Sequence, residues 1–100
     1  MRTKYSREFE KAVRKLSGKT LNSVRNMLLE VRNAESLNEI TDCKKLVGYE
    51  NVYRIRIGSL RAFFIFYVEI VDDCVFFKYL VPRGEAYDRK NAEKLRESDK

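Results

Sequence analysis

"NVYRIRIGSLRAFFIF", residues 51–66, sets two apolar runs on either side of a Gly-Ser pair and threads three arginines through them. The β-branched and aromatic residues of Val52–Ile57, and of the run from Leu60 onward, favour strands. Gly58-Ser59 between them fits a two-residue type II′ hairpin, which takes glycine at its first central position. Counting outward from that turn gives the pairing: Ile57 faces Leu60, Arg56 faces Arg61, Ile55 faces Ala62 and Arg54 faces Phe63. Opposed residues share a face, and side chains alternate along a strand. Arg54, Arg56 and Arg61 therefore lie together on one side of the sheet. Tyr53, Ile55, Ile57, Leu60, Ala62, Phe64 and Phe66 line the other, the side a helical layer would cover.

Upstream, residues 6–16, "SREFEKAVRKL", put Phe9, Ala12, Val13 and Leu16 on one helical stripe. Ser6 suits the N-cap and Gly18 a C-terminal stop. Residues 20–34 repeat the signal with Leu21, Val24, Met27, Leu28 and Val31. Two short helices around a glycine-containing turn predict a helical hairpin. Its outward face is basic, because residues 1–34 hold nine Lys/Arg against three Asp/Glu. Residues 35–50 reverse that balance and read as a polar connector. "RTKY" at residues 2–5 is a candidate for a short additional edge strand.

Downstream, Leu60–Ile70 and Cys74–Val81 read as the second and third strands, with Asp72-Asp73 as their turn. That turn sets Tyr67 opposite Lys78 and Ile65 opposite Leu80, and carries Pro82–Gly84 beside Arg61. A one-residue slip would move Lys78 to the covered face. Phe63, Ile65, Tyr67 and Leu80 then share the arginine face. They stack on nucleobases, meet a protein partner, or lie under the chain's own C-terminal tail. The tail, "EAYDRKNAEKLRESDK", alternates in charge and reads as a short helix fraying into disorder over about 88–100. The expected fold is one α+β domain over residues 1–100. An N-terminal helical hairpin packs on one face of a three- to four-stranded antiparallel sheet, with a short C-terminal tail or helix.

A net charge of +6 on 100 residues points to an anionic partner, nucleic acid first. A chain without histidine, with cysteines only at 43 and 74, lacks the common zinc patterns and any disulfide framework. No metal or cofactor is expected. The longest apolar run, Ala62–Val68, is too short for a bilayer, so no membrane partner is expected either. No signal-peptide pattern opens the chain, which makes the cytoplasm the expected location. Proton transfers must use Lys, Tyr, Asp, Glu, Cys or bound water.

One arginine on a strand face is ordinarily a solvated side chain, its stem on the sheet and its head in water. Three converging from two strands are harder to read that way, because like charges directly opposed destabilise a sheet. The planar fork of arginine matches phosphate oxygens in pairs, so the group suits a phosphodiester.

"KKLVGYENVYRIRIGSLRAFFIF" (44–66), followed by "RGEAY" (83–87), resembles the RelE/ParE superfamily of toxins from bacterial type II toxin–antitoxin modules. The resemblance implies a helical hairpin on an antiparallel sheet. For the RelE branch it implies a ribosome-dependent endoribonuclease that cuts mRNA without a metal. There the 2′-hydroxyl attacks the adjacent phosphate and leaves a 2′,3′-cyclic phosphate. Carried onto this chain, Arg61, Arg83 and Tyr87 take the catalytic positions. Arg54 and Arg56 stand where the family has strand lysines and bind RNA phosphate, with Lys45 and Lys78 as weaker basic candidates. The implied partners are a cognate antitoxin covering the arginine face and mRNA on the ribosome. The chain departs from the pattern in its arginines, which hold protons too tightly to shuttle them. It also carries Pro82-Arg83-Gly84 where many relatives read His-Arg-Arg, and its N-terminal strand is short. Tyr87 becomes the best remaining acid–base group. The alternatives are a ParE-like toxin that inhibits DNA gyrase without chemistry, and a non-catalytic RNA-binding module.

Overall fold

The computed structural model describes residues 1–99. Five strands form one sheet: β1 Arg2–Tyr5, β2 Cys43–Lys45, β3 Val52–Ile57, β4 Leu60–Tyr67 and β5 Cys74–Pro82, in the order β1-β5-β4-β3-β2. Helices α1 Arg7–Arg14 and α2 Gly18–Asn33 precede β2, and α3 Arg89–Ser98 follows β5. No helix among the described residues is long and apolar enough to cross a membrane.

The hairpin counted from Gly58-Ser59 holds through all six pairs from Ile57↔Leu60 to Val52↔Ile65. Gly58 has φ +55° while Ser59 does not enter the left-handed region, the combination a type II′ turn requires. Ser6 caps α1 as expected, its hydroxyl accepting the Phe9 N–H at 3.0 Å. Gly18, expected to end the first helix, instead opens the second at φ +58°. Its tolerance of that conformation lets the chain reverse within three residues.

The sheet departs from the antiparallel three or four strands expected: it has five and is mixed, because β1 runs parallel to β5 from Arg2↔Cys74 to Tyr5↔Phe77. The strand β2 went unforeseen because three residues, two of them lysines, carry no apolar alternation. The β4–β5 hairpin also differs. β4 ends at Tyr67, which pairs with Cys74, and residues 68–73 form the connection, with Val68, Ile70 and Val71 exposed. A bulge then leaves Lys78 without a partner between Phe64↔Phe77 and Phe63↔Tyr79. Counting from Asp72-Asp73 misplaced the turn and did not foresee the extra residue. Leu80 accordingly pairs with Ala62 and joins the helix-covered core, not the arginine face.

Both faces of the sheet are covered. On one, Phe9, Val24, Met27 and Val31 pack on Ile55, Ala62, Phe64, Val75 and Phe77. The Phe9 ring lies 5.0 Å from that of Phe77 and 5.8 Å from that of Tyr5. On the other, Val52, Phe63 and Ile65 lie under Ala86 and Leu95. Of the three covers open to Phe63 and Ile65, the chain's own C-terminal segment is the one found. That segment is an ordered helix, not a fraying tail. Asp88 caps it by accepting the Asn91 N–H at 2.8 Å, and Leu95 is buried beneath it.

At its far end, the Asp99 carboxylate accepts the backbone N–H groups of Glu50 and Asn51 at 2.7 and 2.8 Å. Asp99→Ala removes both acceptors and is expected to cost about 1 kcal/mol, since the site is exposed. Hydrogen exchange at the Glu50 and Asn51 amides should speed up together. Unchanged protection at both would show that the carboxylate does not hold the helix down.

Candidate functional site

The hairpin places Arg56 directly opposite Arg61, and Arg54 opposite Phe63, on the face that α3 leaves open at the Gly58-Ser59 end. β2 adds a second like-charge pair, Lys44 opposite Arg54. Each such opposition costs a few tenths of a kcal/mol to about 1 kcal/mol, so the fold carries a charge excess that an anion would relieve.

Arg61 is buried, 6% exposed, and its Nη1 donates to the carbonyls of Gly58 at 2.8 Å and Leu60 at 2.9 Å. One guanidinium nitrogen thus braces the turn, while Nε and Nη2 make no hydrogen bond to the described residues. The Arg83 N–H donates to the Ser59 carbonyl at 2.7 Å, which fixes the end of β5 to the same turn with the Arg83 side chain exposed. The expected approach of Pro82–Gly84 to Arg61 is therefore found, despite the shifted register further along. A single 3-10 turn over Arg83–Glu85 then carries the chain to Tyr87.

Tyr87 packs edge-on against Phe63, with ring centroids 6.3 Å apart at 87°. Its hydroxyl accepts from Arg54 Nη1 at 3.5 Å, a long and weak bond, and the residue is 62% exposed. Arg54 Nε is buried with no hydrogen-bond acceptor among the described residues. Arg56 is held on its far side by Asp42, Nη2 to Oδ1 at 3.5 Å, both side chains half exposed. Asp42 reaches it from a left-handed backbone at φ 54°, and the Arg56 N–H bonds back to the Asp42 carbonyl at 3.2 Å.

Arg54, Arg56, Arg61, Arg83 and Tyr87 are thus brought around one turn and one sheet face. Lys45 and Lys78 are not. Lys45 pairs with Tyr53 and so belongs to the opposite face; Lys44, one residue earlier, is the lysine beside Arg54. Lys78 sits at the bulge, three residues along β5 from the partner of Arg61, with its ammonium 4.7 Å above the Phe76 ring. Lys44 and Asp42 are the neighbours that sequence reasoning missed. The alternation of Cys43-Lys44-Lys45 against Tyr53-Arg54-Ile55 was the signal for Lys44, legible only once β2 is taken as a strand.

Cys43 lies half-buried on the helix-covered face, opposite Ile55. Burial pushes its thiol up to about 11 from 9.0, against a smaller downward pull from the Arg54 charge. A raised acid pKa means the unfolded chain loses its proton first. The contribution to stability is full below pH 9 and is lost as pH rises toward 11. Between pH 8 and pH 10.5 the urea midpoint should therefore fall more steeply in the wild type than in Cys43→Ala. Parallel pH profiles would refute this.

No protein-family model matches the chain. It is 30% identical over 89 residues to Toxin RelE3 of Methanocaldococcus jannaschii, an alignment covering 88% of this chain and 97% of that protein. Among solved structures, the RelB-RelE antitoxin-toxin complex from Methanococcus jannaschii matches with a TM-score of 0.66 and 29% identity, over 86% of this chain and 96% of that one. The archaeal RelE-RelB complex from Pyrococcus horikoshii matches with a TM-score of 0.66 and 25% identity, over 85% and 97%. Identity at this level, spread over nearly the whole of both chains and accompanied by the same fold, shows that this protein belongs to the RelE family of toxins from toxin–antitoxin systems.

Proposed function

We propose that this toxin is an endoribonuclease that cuts mRNA on the ribosome, using the arginine face and Tyr87, and that a cognate antitoxin restrains it by covering that face. The observation that carries the reading is the convergence of Arg54, Arg56, Arg61 and Arg83 around one turn with the Tyr87 hydroxyl 3.5 Å from Arg54. In the reaction the 2′-oxygen bonds to the adjacent phosphorus and gives its proton to a bound water, while the bond from phosphorus to the 5′-oxygen breaks. The products are a 2′,3′-cyclic phosphate and a 5′-hydroxyl.

Negative charge gathers on the phosphorane, where fixed guanidinium groups stabilise it more than they stabilise the starting diester. Arg61, braced by the turn, presents Nε and Nη2 to two phosphate oxygens; Arg83 and Arg56 flank it. Tyr87 gives its proton to the departing 5′-oxygen, and Arg54 stabilises the phenolate left behind. An antitoxin partner is supported by the matched archaeal toxins, both solved in complex with RelB.

The test is induction in bacteria followed by mapping of mRNA ends. Cuts within translated codons are expected. Intact mRNA together with filamentation and a DNA-damage response would overturn the reading in favour of gyrase inhibition.

A further inference from the structure

Arg56 stands directly opposite Arg61 on the sheet, and like charges so placed repel. One neighbour holds it at two points. Arg56 Nη2 donates to Asp42 Oδ1 at 3.5 Å, and the Arg56 N–H donates to the Asp42 carbonyl at 3.2 Å. Nε and Nη1 of Arg56 have no partner among the described residues. Asp42 takes both roles from a left-handed backbone, φ 54°, which aspartate adopts more readily than most side chains. The turn that carries Asp42 is itself tied to α2. Glu30 accepts the Thr41 N–H at 2.6 Å through Oε1 and the Thr41 hydroxyl at 3.2 Å through Oε2. A line of contacts, Glu30 to Thr41 to Asp42 to Arg56, therefore runs from the helical layer around the β2 edge to the arginine face.

We infer that Asp42 is a positioning residue for the phosphate site: it holds Arg56 beside Arg61 and leaves Nε and Nη1 for an anionic oxygen. The inference rests on the endoribonuclease reading proposed above and adds to it a residue outside the arginines. A guanidinium stabilises a developing phosphorane best when its direction is set before the charge appears. Unrestrained, Arg56 would swing away from Arg61 to relieve their repulsion. Asp42 offsets that repulsion, but it also sets a carboxylate near the bound RNA. Its removal therefore has two opposed consequences. Arg56 is aimed less well, and the RNA is repelled less.

The test is Asp42→Asn, assayed on ribosomes stalled on a defined mRNA, with Arg56→Ala and the double variant alongside. Asparagine also adopts a left-handed backbone, so the turn is retained. kcat should fall about two- to fivefold, the worth of an ion pair whose side chains are half exposed. KM should fall about twofold, because a negative charge beside the RNA is gone. Damage to the fold would instead raise KM as kcat falls. In the Arg56→Ala background the effect of Asp42→Asn on kcat should disappear, because it passes through Arg56. An unchanged kcat, a raised KM, or an equal loss of kcat in both backgrounds would overturn the inference and leave the endoribonuclease reading standing. Absence of cleavage by the parent protein would overturn both.

Discussion

If the proposed endoribonuclease reading holds, Arg61→Ala should lower cleavage of ribosome-bound mRNA by about 10²–10³-fold, the usual loss when one fixed donor to a developing oxyanion is removed. It also weakens the fold, for a separate reason. Nη1 of Arg61 donates to the Gly58 and Leu60 carbonyls, and deleting it leaves both acceptors of an exposed turn to water. That costs about 1 kcal/mol. Because the turn also accepts the Arg83 N–H through Ser59, the displacement reaches Arg83. Arg61→Lys separates the two effects. A lysine keeps the charge but cannot brace two carbonyls while offering a flat pair of donors to phosphate. Its cleavage should fall between those of the wild type and the alanine variant, as read by primer extension on stalled ribosomes, with urea melting for stability. Full cleavage by Arg61→Ala would remove this residue from the site.

Tyr87→Phe shows the opposite division. Tyr87 is exposed, and its hydroxyl makes one hydrogen bond among the described residues, the 3.5 Å bond from Arg54, so losing it leaves stability within about 0.5 kcal/mol of the wild type. The ring stays, and so does its edge-on packing against Phe63. Cleavage should nonetheless fall by about 10²–10⁴-fold, the contribution of a positioned acid. Supplying a substrate whose 5′-oxygen is replaced by sulfur, a leaving group needing no proton, should restore most of the rate. A rate unchanged by the substitution, or one the sulfur substrate fails to rescue, would assign the proton to another group.

How much of this was legible beforehand follows the range of the interactions. The β3–β4 hairpin was, because a two-residue turn leaves one pairing and period-two alternation assigns the faces. The resemblance carried Arg61, Arg83 and Tyr87 to their positions, and the Pro82–Gly84 exit does reach the turn. The β4–β5 hairpin was misread because six connecting residues and a bulge at Lys78 have no local signature as sharp as Gly-Ser. Lys45 was named and Lys44 overlooked because β2 is a strand only by virtue of its partner: three residues gain their geometry from β3, not from their own propensity. The order of α3 was hidden for a like reason. Its cover over Phe63 and Ile65, and the hold of Asp99 on Glu50 and Asn51, join parts of the chain that propensity treats separately.

The parallel pairing of β1 with β5 also sets a clock on the protein's birth. Arg2 is made about seventy residues before its partner Cys74, roughly 4–14 s at ordinary elongation rates. For that interval Phe9 has no Phe77 to stack on, and the first helix has only half its bed. Arg83 and Tyr87 come later still. The nascent chain therefore passes through a stage with exposed apolar helix faces and a scattered arginine group, which ends only as the last strand closes against the first.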